Sequence, residues 1–422
     1  MSGSAVGDTG STVDAVVVGG GAIGLASAWR LAQAGLAVEL VDPDPGSGAS
    51  GVAAGMLAPV TEARLGEEAL LRLGLASWSR WPALVAELAE LAEPAPDAVS
   101  GPRWPSLSYR GDGTIVAALD ADDRAVLRDL VDRQRVLDLD VTDLSAADLR
   151  RLEPALAPGV RRGALATGES SVDPAALVAA LLLAAERAGV VFRREAARRL
   201  VTADRSAGAA PRVAGVELTG GGRVVAGCVV LAAGAWSADV EGLPEAVPLP
   251  VRPVKGQVVT LRQRPDDTLV HHTVRGLVRG SVVYLVPRDD GRLVCGATVE
   301  EKGWDGVATA GGAHELLRDV LTLFPGLDEA ELVGTRAGFR PGSPDDLPLI
   351  GRTAAEGLVV ATGHYRNGIL LTPITAEAVA AAVVGDPLPA EVLPCDPRRF
   401  AEPVPQVGTG AALRGAVSEG AR

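Results

Sequence analysis

The feature that most constrains the fold is a glycine-rich turn that follows an apolar stretch near the start of the chain. Residues 16–24 read VVVGGGAIG, so Gly19, Gly21 and Gly24 have the spacing of a strand, a tight turn and a helix. In such a unit the first glycine permits the turn, the second lets a pyrophosphate approach the backbone, and the third lets the helix pack on the strand. The helix start offers free N–H groups and a partial positive charge to an anion.

An acidic residue at the end of the next apolar stretch strengthens this interpretation. Asp42 follows VELV at residues 38–41 and lies about 20 residues beyond the glycines, where its carboxylate can accept hydrogen bonds from ribose hydroxyls. The pattern predicts a dinucleotide site formed by Gly19, Gly21, Ala22, Ile23, Gly24 and Asp42. The alternative is a glycine turn inside a buried βαβ unit, with Asp42 as a solvated strand end.

The composition indicates which classes of protein to set aside. The 422 residues are enough for two domains, or for one large α/β unit with an inserted lobe. Hydrophobic residues make up 47% and charged residues 22%, which is typical of soluble globular proteins. The formal net charge of -13 argues against nucleic acid or an anionic membrane as a partner.

The cysteines and the chain start suggest a cytoplasmic protein without a metal site. Cys228, Cys295 and Cys395 form no CxxC pair, so we expect no zinc site, iron–sulfur cluster or disulfide framework. We expect no secretory signal, because residues 1–12 lack a basic and an apolar region. The longest apolar run, residues 175–185, is too short to span a bilayer.

The order of predicted elements places strand-rich material between two parallel-type units. We predict a hairpin over residues 109–119 around a Gly-Asp-Gly turn, helices over 120–151, and a strand pair over 213–231. A helix is expected from the cap Asp173 to about Arg187. The fold class is therefore α/β, with a discontinuous Rossmann-like nucleotide-binding domain and an inserted, antiparallel-sheet-rich α+β substrate domain.

The domain boundaries follow from this order. The nucleotide-binding domain is predicted over 13–92, 161–245 and 335–386. The substrate domain is predicted over 93–160 and 246–334, and flexible tails over 1–12 and 387–422.

Several further segments, in a fixed order, carry a resemblance to a known family. They read ASGVAAGMLAP at 49–59, SVDP at 171–174, AAGAWS at 232–237, PVKGQ at 253–257, YLVPR at 284–288, GFRPGS at 338–343 and TGHYRNGILL at 362–371. With the glycine turn they resemble the D-amino-acid oxidase family of FAD enzymes over about residues 13–384. The last segment is especially similar to the family's glycine oxidases, which serve thiamin synthesis.

The resemblance implies that the dinucleotide is FAD and extends the list of cofactor contacts. Ser50, Ala53, Ala54 and Gly55 would lie along the isoalloxazine, and Gly368, Ile369 and Leu370 near the pyrimidine ring. The further cofactor contacts are Met56, Gly234, Trp236, Gly363 and Asn367. Related sarcosine oxidases attach the flavin through a cysteine near the GFRPGS segment. Residues 339–352 contain no cysteine, so noncovalent FAD is expected.

An enzyme that oxidises an amino acid must hold the substrate carboxylate, and an arginine can grip it at two points. The resemblance implies this role for Arg340, a second hydrogen bond from Tyr284, and a position for Arg366 near substrate and flavin. The alternatives are a surface arginine or one in a structural ion pair for Arg340, a buried strand tyrosine for Tyr284, and a helix-capping or cofactor-binding arginine for Arg366. His364 is expected to be structural rather than a catalytic base, and the apolar Val282 leaves the contacts to the substrate amine open.

The resemblance implies oxidation of glycine to its imine with reduction of O2 to H2O2. The imine would supply thiazole synthesis, with transfer of the product to thiazole synthase, and the family commonly forms homotetramers. Oxidation or dehydrogenation of D-amino acids or sarcosine stays open, because a methyl group in a pocket changes preference by only about 10–200-fold. A non-catalytic flavin-binding subunit and a protein that uses NAD alone are further alternatives.

Overall fold

The computed structural model describes residues 11–64, 66–92, 106–203, 210–264 and 266–401. The helices in these ranges are α1 (Ala22–Gln33), α2 (Glu68–Trp78), α3 (Trp81–Ala92), α4 (Ala121–Val136), α5 (Ala146–Leu152), α6 (Pro174–Arg187), α7 (Ala310–Leu323) and α8 (Thr372–Val384). None of the helices in the described ranges is both long and apolar enough to cross a bilayer.

The strands of the described ranges form two large sheets and one small one. They are β1 (Ser11–Val18), β2 (Val38–Val41), β3 (Met56–Leu57), β4 (Thr114–Ala118), β5 (Thr142–Ser145), β6 (Arg162–Ala166), β7 (Ser170–Ser171), β8 (Val191–Arg193), β9 (Ala197–Ala203), β10 (Arg212–Leu218), β11 (Arg223–Leu231), β12 (Arg252–Arg262), β13 (Thr273–Val278), β14 (Ser281–Pro287), β15 (Arg292–Gly296), β16 (Glu331–Gly342), β17 (Leu349–Arg352) and β18 (Leu358–Thr362).

The first large sheet has a parallel centre and the order β17-β18-β11-β1-β2-β8, with β10 and β9 added beside β11. Strand β1 lies between β2 and β11, and Val16 is opposite Glu39 on one side and Val229 on the other. Helix α1 contacts α6 and α8 and packs its apolar side chains on one face of this sheet. A strand buried on both faces needs a continuous apolar sequence, which is why β1 and β11 read as valine-rich runs.

The second large sheet has the order β16-β12-β15-β14-β13-β4-β6-β5 and is antiparallel except between β4 and β13. Helix α7 covers one face and buries Leu316, Val320 and Leu323 against it. The α/β class with a Rossmann-like sheet and an antiparallel-rich second sheet is therefore confirmed.

Two predicted domain boundaries were wrong by one strand each. The range 161–245 was expected to belong with the nucleotide-binding sheet, but β6 pairs with β4 and β5 in the second sheet. The range 335–386 likewise includes most of β16, which pairs with β12 along Arg252–Arg262. Local sequence shows that a strand exists, but its partner is chosen by distant segments, so these boundaries could not be read from the chain order.

The hairpin predicted over residues 109–119 was also wrong. Arg110 forms a bridge with Ser171, while β4 pairs in parallel with β13 and antiparallel with β6. The Gly-Asp-Gly turn only redirects the chain into β4, with Gly113 at a φ of +85°.

The predicted C-terminal tail is ordered in its first part. Residues 390–400 form two short 3-10 turns, in which Val392 and Cys395 are fully buried. Arg399 donates to the Asp345 carboxylate at 2.9 and 3.0 Å, which ties this segment to the loop after β16. At the N-terminus, β1 begins at Ser11, so the last two residues of the tail predicted over 1–12 belong to this strand. Residues 1–10, 93–105 and 402–422 lie outside the described residues.

Other local predictions are confirmed. The Asp173 carboxylate accepts a hydrogen bond from the Ala175 N–H at 3.0 Å and caps α6, with Pro174 in its first turn. Strands β10 and β11 form the expected antiparallel pair. Helices α4 and α5 occupy the predicted helical region, separated by β5.

Candidate active site

A cavity of about 570 Å³ runs from the glycine turn after β1 to Arg340 on β16. One end is lined by segments that follow the carboxyl ends of β1, β2 and β11, where parallel sheets generally bind ligands. The other end is lined by residues of β12, β14 and β16, and the segment before α8 also lines it. The cavity therefore joins the two sheets.

The glycine turn is closed on its protein side and open toward the cavity. Gly19 has a φ of +108°, and a Cβ there would lie 2.4 Å from the carbonyl oxygen of Ala232. A Cβ on Gly24 would lie 1.9 Å from the Gly19 carbonyl oxygen, so α1 can approach the turn only with glycine at this position. At Gly21 the nearest atom to a Cβ would be Ser50 Oγ at 3.3 Å. This turn fits a pyrophosphate laid against Gly21, at the start of α1.

Asp42 and Ser50 support this turn. The Asp42 carboxylate accepts from the Gly20 N–H at 2.6 Å and from the Asp44 N–H at 2.8 Å, and it also lines the cavity. Ser50 Oγ accepts from the Ala22 N–H at 3.1 Å. Asp42 therefore fixes the backbone of the turn in addition to facing the space where a ribose would lie.

The small-residue segment after the turn is held from behind by a buried arginine. Ala53, Ala54, Gly55 and Met56 line the cavity. Arg288 is 4% exposed and donates from Nη2 to the Ala54 carbonyl oxygen. Its Nε and Nη1 have no hydrogen-bond partner among the described residues, and burial lowers the pKa of Arg288 to about 10. Arg288 ends the YLVPR segment, but no pattern in the sequence indicated this role.

At the other end, Arg340 lies flat against the backbone of β12. Its Nη1 donates to the carbonyl oxygens of Thr298 at 3.0 Å and Lys255 at 3.4 Å. A Cβ on Gly256 would lie 2.2 Å from Nη1, so only glycine leaves room for the guanidinium group. The guanidinium can present its remaining N–H groups to a carboxylate in the cavity that it lines.

Tyr284 stands beside Arg340 and opposite Gly296 in the β14–β15 pair. A Cβ on Gly296 would lie 2.5 Å from the phenol oxygen, so this glycine also makes room for a side chain. Burial raises the pKa of Tyr284 to about 12, against the opposing influence of the Arg340 cation. The phenol is therefore a hydrogen-bond donor at neutral pH.

Glu62 is a cavity residue that sequence analysis missed. Its carboxylate pairs with Arg275 at 2.9 Å, and Arg275 is opposite Tyr284 in the β13–β14 pair. The buried Glu169 carboxylate accepts from the N–H groups of Val60 and Thr61, at 2.8 and 2.7 Å, and so fixes the segment that carries Glu62. No local signal pointed to Glu62, because it comes to the cavity only through these long-range contacts.

The segment before α8 contributes His364, Arg366, Gly368 and Ile369 to the cavity. The His364 ring bonds through Nε2 with Thr375 Oγ1 at 3.1 Å, and burial lowers the pKa of His364 to about 3. A neutral ring held in this way agrees with a structural role. Arg366 has an Nε without a partner among the described residues, and its guanidinium lies 5.3 Å from the Tyr365 ring centre.

The structure brings together most of the predicted site residues. Those that line the cavity are Gly19, Gly21, Ala22, Ile23, Asp42, Ser50, Ala53, Ala54, Gly55, Met56, Gly234, Trp236, Tyr284, Arg340, Arg366, Gly368 and Ile369. Those outside the lining are Gly24, Gly363, Asn367 and Leu370.

The residues outside the lining support the residues within it. The Leu370 carbonyl accepts from Ser77 Oγ at 2.6 Å and from Trp81 Nε1 at 3.0 Å, which fixes the start of α8. The Asn367 carbonyl accepts from the Leu371 N–H at 2.8 Å, and Gly363 turns the chain with a φ of +74°.

An aromatic cluster lies beside the cavity. Trp236 stacks on Trp304 with ring centres 5.0 Å apart, and the Phe339 ring meets both edge-on. Both tryptophans remain more than two-fifths exposed. Because Trp236 and Phe339 also line the cavity, this cluster forms part of its rim.

Comparison with known proteins agrees with this geometry. The bifunctional protein ThiO/ThiG of Synechocystis sp. is 34% identical over 392 residues, which cover 92% of this chain and 54% of that protein. Hydrogen cyanide synthase subunit HcnC of Pseudomonas aeruginosa is 29% identical, over 92% of this chain and 96% of that subunit. The crystal structure of glycine oxidase from Geobacillus kaustophilus has a TM-score of 0.80 and 32% identity, over 92% and 98% of the two chains.

The chain spans about half the length of the bifunctional relatives that it matches. A sequence profile described as FAD dependent oxidoreductase (DAO) matches residues 14–382, which is most of the chain. The resemblance inferred from the motifs is thus confirmed, and FAD is the dinucleotide that the glycine turn fits. The chain belongs to the DAO family of FAD-dependent oxidoreductases.

Proposed function

We propose that this protein is an amino-acid oxidase that converts glycine to its imine and O2 to H2O2. The observation that supports it most directly is the pairing of Arg340 with Tyr284 at one end of a cavity whose other end carries the glycine turn. A protein that only bound a dinucleotide would have no use for an arginine and a tyrosine side by side at the far end of the cavity. FAD, when bound, supplies the two-electron chemistry.

Arg340 and Tyr284 bind and orient the substrate in this proposal. The guanidinium group grips the carboxylate through N–H groups that do not donate to the Thr298 and Lys255 carbonyls, and the phenol donates a further hydrogen bond. Holding the carboxylate in this way fixes the direction of the Cα–H bond, and alignment of this kind supplies several kcal/mol of catalysis. Arg366 contributes positive charge to the same cavity.

Glycine must lose a proton from its ammonium group before it can be oxidised. His364 does not take this proton in our account, because its ring is buried, neutral and bonded to Thr375. The Glu62 carboxylate is the acidic side chain that we place beside the substrate amine, since it lines the cavity and is paired with Arg275. Glu62 would supply the polar contact to the substrate amine that the apolar side chain of Val282 does not supply.

The FAD contacts proposed are the residues named above, with the turn at Gly19, Gly21 and Gly24 on the pyrophosphate. We propose noncovalent attachment, since Cys228, Cys295 and Cys395 are outside the cavity lining. The first sheet with α1, α6 and α8 would form the FAD-binding domain, and the second sheet with α7 would form the substrate domain.

The partners are proposed from the relatives of the chain. The bifunctional ThiO/ThiG relative is consistent with transfer of the imine to thiazole synthesis. A homo-oligomer is proposed by resemblance to the family.

The proposed activity is tested by purifying the protein, releasing the flavin with acid or heat, and measuring H2O2 with glycine, sarcosine and D-alanine side by side. We expect a yellow protein with releasable FAD and the highest kcat/KM for glycine. A large preference for D-alanine or sarcosine would instead identify an oxidase for those substrates. Peroxide-free reduction of an added electron acceptor would identify a dehydrogenase, and a colourless protein that FAD does not reconstitute would contradict all three.

A further inference from the structure

The segment that joins β15 to α7 lies behind Arg340. We call residues 297–309 the strap. It pairs with β12, where the N–H of Lys255 donates to the Glu300 carbonyl at 3.0 Å and the N–H of Glu300 donates to the Lys255 carbonyl at 2.9 Å. At its far end the N–H of Thr309 donates to Gln257 Oε1 at 2.7 Å. The strap is therefore bonded to β12 at Glu300 and at Thr309.

The strap and β12 together provide the backbone oxygens that hold the guanidinium group. Nη1 of Arg340 donates to Thr298 in the strap and to Lys255 in β12. A guanidinium group is planar, so fixing Nη1 at two carbonyl oxygens also fixes the direction of its other N–H groups. Any shift of the strap relative to β12 would therefore turn the guanidinium.

The Glu300 side chain connects the two backbones. It accepts from Thr298 Oγ1 at 2.6 Å, from Gln257 Nε2 at 2.6 Å and from Lys302 Nζ at 2.8 Å. Burial alone would raise the pKa of Glu300, but these donors and the Lys255 cation hold it at about 2. The carboxylate is thus ionised throughout the pH range in which enzymes are assayed.

The side chain of Lys255 also holds the strap against β12. Its side chain is fully buried, with Nζ 3.3 Å from the Asp305 carboxylate and 3.9 Å from that of Glu300. A buried ammonium group is costly unless it is paired, so Lys255 holds Glu300 and Asp305 of the strap to β12. The residue before Asp305 is Trp304, whose stacking on Trp236 ties the strap to the segment after β11 as well.

We propose that Glu300 is a positioning residue that orients Arg340 for the substrate carboxylate by fixing the strap to β12. The inference rests on the proposed function, because it presumes that Arg340 binds a carboxylate. Glu300 itself does not line the cavity among the described residues. It acts through Thr298 and Gln257.

The test compares Glu300→Gln with Glu331→Gln in the FAD-loaded protein. Glu331 is an exposed glutamate on the same strand as Arg340 and pairs with Arg262 at 3.8 Å, so its substitution is a matched control. Two constants are measured, the KM for glycine and the Kd for acetate from the change in flavin absorbance. Acetate serves as the probe because it carries the carboxylate without the amine.

For Glu300→Gln we expect both constants to rise by about tenfold, with kcat changed less than about threefold and with full FAD content. A substitution that only loosened the fold would lower kcat, FAD content and the melting temperature together. Glu331→Gln should leave both constants unchanged. If Glu300→Gln does not fold, Glu300→Asp keeps the charge for Lys255 and Lys302 while withdrawing it from Thr298, and a rise of about threefold in both constants is expected.

Unchanged KM and acetate Kd in a folded Glu300 variant would overturn the inference, provided that Arg340→Met loses acetate binding. Wild-type protein that neither oxidises glycine nor binds acetate would overturn the proposed function, and with it this inference. The two failures are thus distinguished by the wild-type protein and the Arg340 variant.

Discussion

The two ends of the cavity are built in different ways. At the cofactor end, Gly19, Gly21, Gly24 and Asp42 lie within one βαβ unit and act mainly through the backbone. At the substrate end, the side chains of Arg275, Tyr284 and Arg340 come from separate strands of one sheet, and Glu62 joins them through its pair with Arg275.

Glycine serves a different purpose at each end. Gly24 has no side chain because another backbone occupies the space, whereas Gly256 and Gly296 have none because Arg340 and Tyr284 occupy theirs. The cofactor end is therefore formed by local chain geometry, whereas the substrate end depends on strand register.

The largest expected effect is at Arg340. Replacing it by methionine removes the cation while keeping most of the side-chain volume, and breaking such a charge pair costs about 2–5 kcal/mol. We expect kcat/KM for glycine to fall by about a thousandfold with full FAD content, measured by peroxide formation and flavin absorbance. Loss of FAD in this variant would show that the two ends are not separable.

The next largest effect is a loss of stability on replacing Gly24. A methyl group there would press on the Gly19 carbonyl, so Gly24→Ala should lower the free energy of unfolding by about 3 kcal/mol in urea titrations of the apoprotein. Gly21→Ala is the contrasting variant, since its methyl group would meet only Ser50 Oγ at 3.3 Å. It should keep the stability of the apoprotein and weaken FAD binding by more than about tenfold. Equal stability of the two variants would contradict the division of roles.

The pH dependence of stability tests whether His364 is structural. Its pKa is about 3 in the folded protein against an ordinary value of 6.5, so the unfolded chain binds more protons between these values. Stability must then fall as the pH falls from about 6.5 toward 3, by about 2 kcal/mol at pH 5. We expect His364→Gln to flatten urea stability between pH 7 and pH 5. An unaltered pH dependence would mean that His364 takes up its proton over the same pH range in the folded protein as in the unfolded chain, and would contradict a buried, neutral ring.

The smallest effect is expected at Tyr284. Removing the phenol oxygen in Tyr284→Phe should lower kcat/KM for glycine by about tenfold, because a hydrogen bond to a charged group contributes about 1.5–3 kcal/mol. Burial raises the pKa of Tyr284 to about 12, so the alkaline side of the wild-type pH profile below pH 10 should be the same in the variant. A shift of that limb would show that the phenol ionises during turnover.

The same contrast explains what the sequence could predict. The glycine turn, Asp42 and the Asp173 cap are local patterns with one conformation each, and the structure contains all of them as expected. Arg340 and Tyr284 were found through resemblance, since neither has a local signal of its own.

Glu62 was missed because nothing near it in sequence distinguishes it from a solvated glutamate. The hairpin over 109–119 and the boundaries at 161 and 335 failed for a related reason, since β4, β6 and β16 take partners from distant parts of the chain.

The most direct test of the account is whether a carboxylate on the substrate is needed. Glycine and methylamine both carry an oxidisable C–H bond next to an amine, but only glycine offers Arg340 and Tyr284 a carboxylate. Flavin reduction without oxygen should be measured with each amine at equal concentration. We predict rapid reduction by glycine and at least about a hundredfold slower reduction by methylamine, a difference of about 2.7 kcal/mol or more. Equal rates with the two amines would contradict the account.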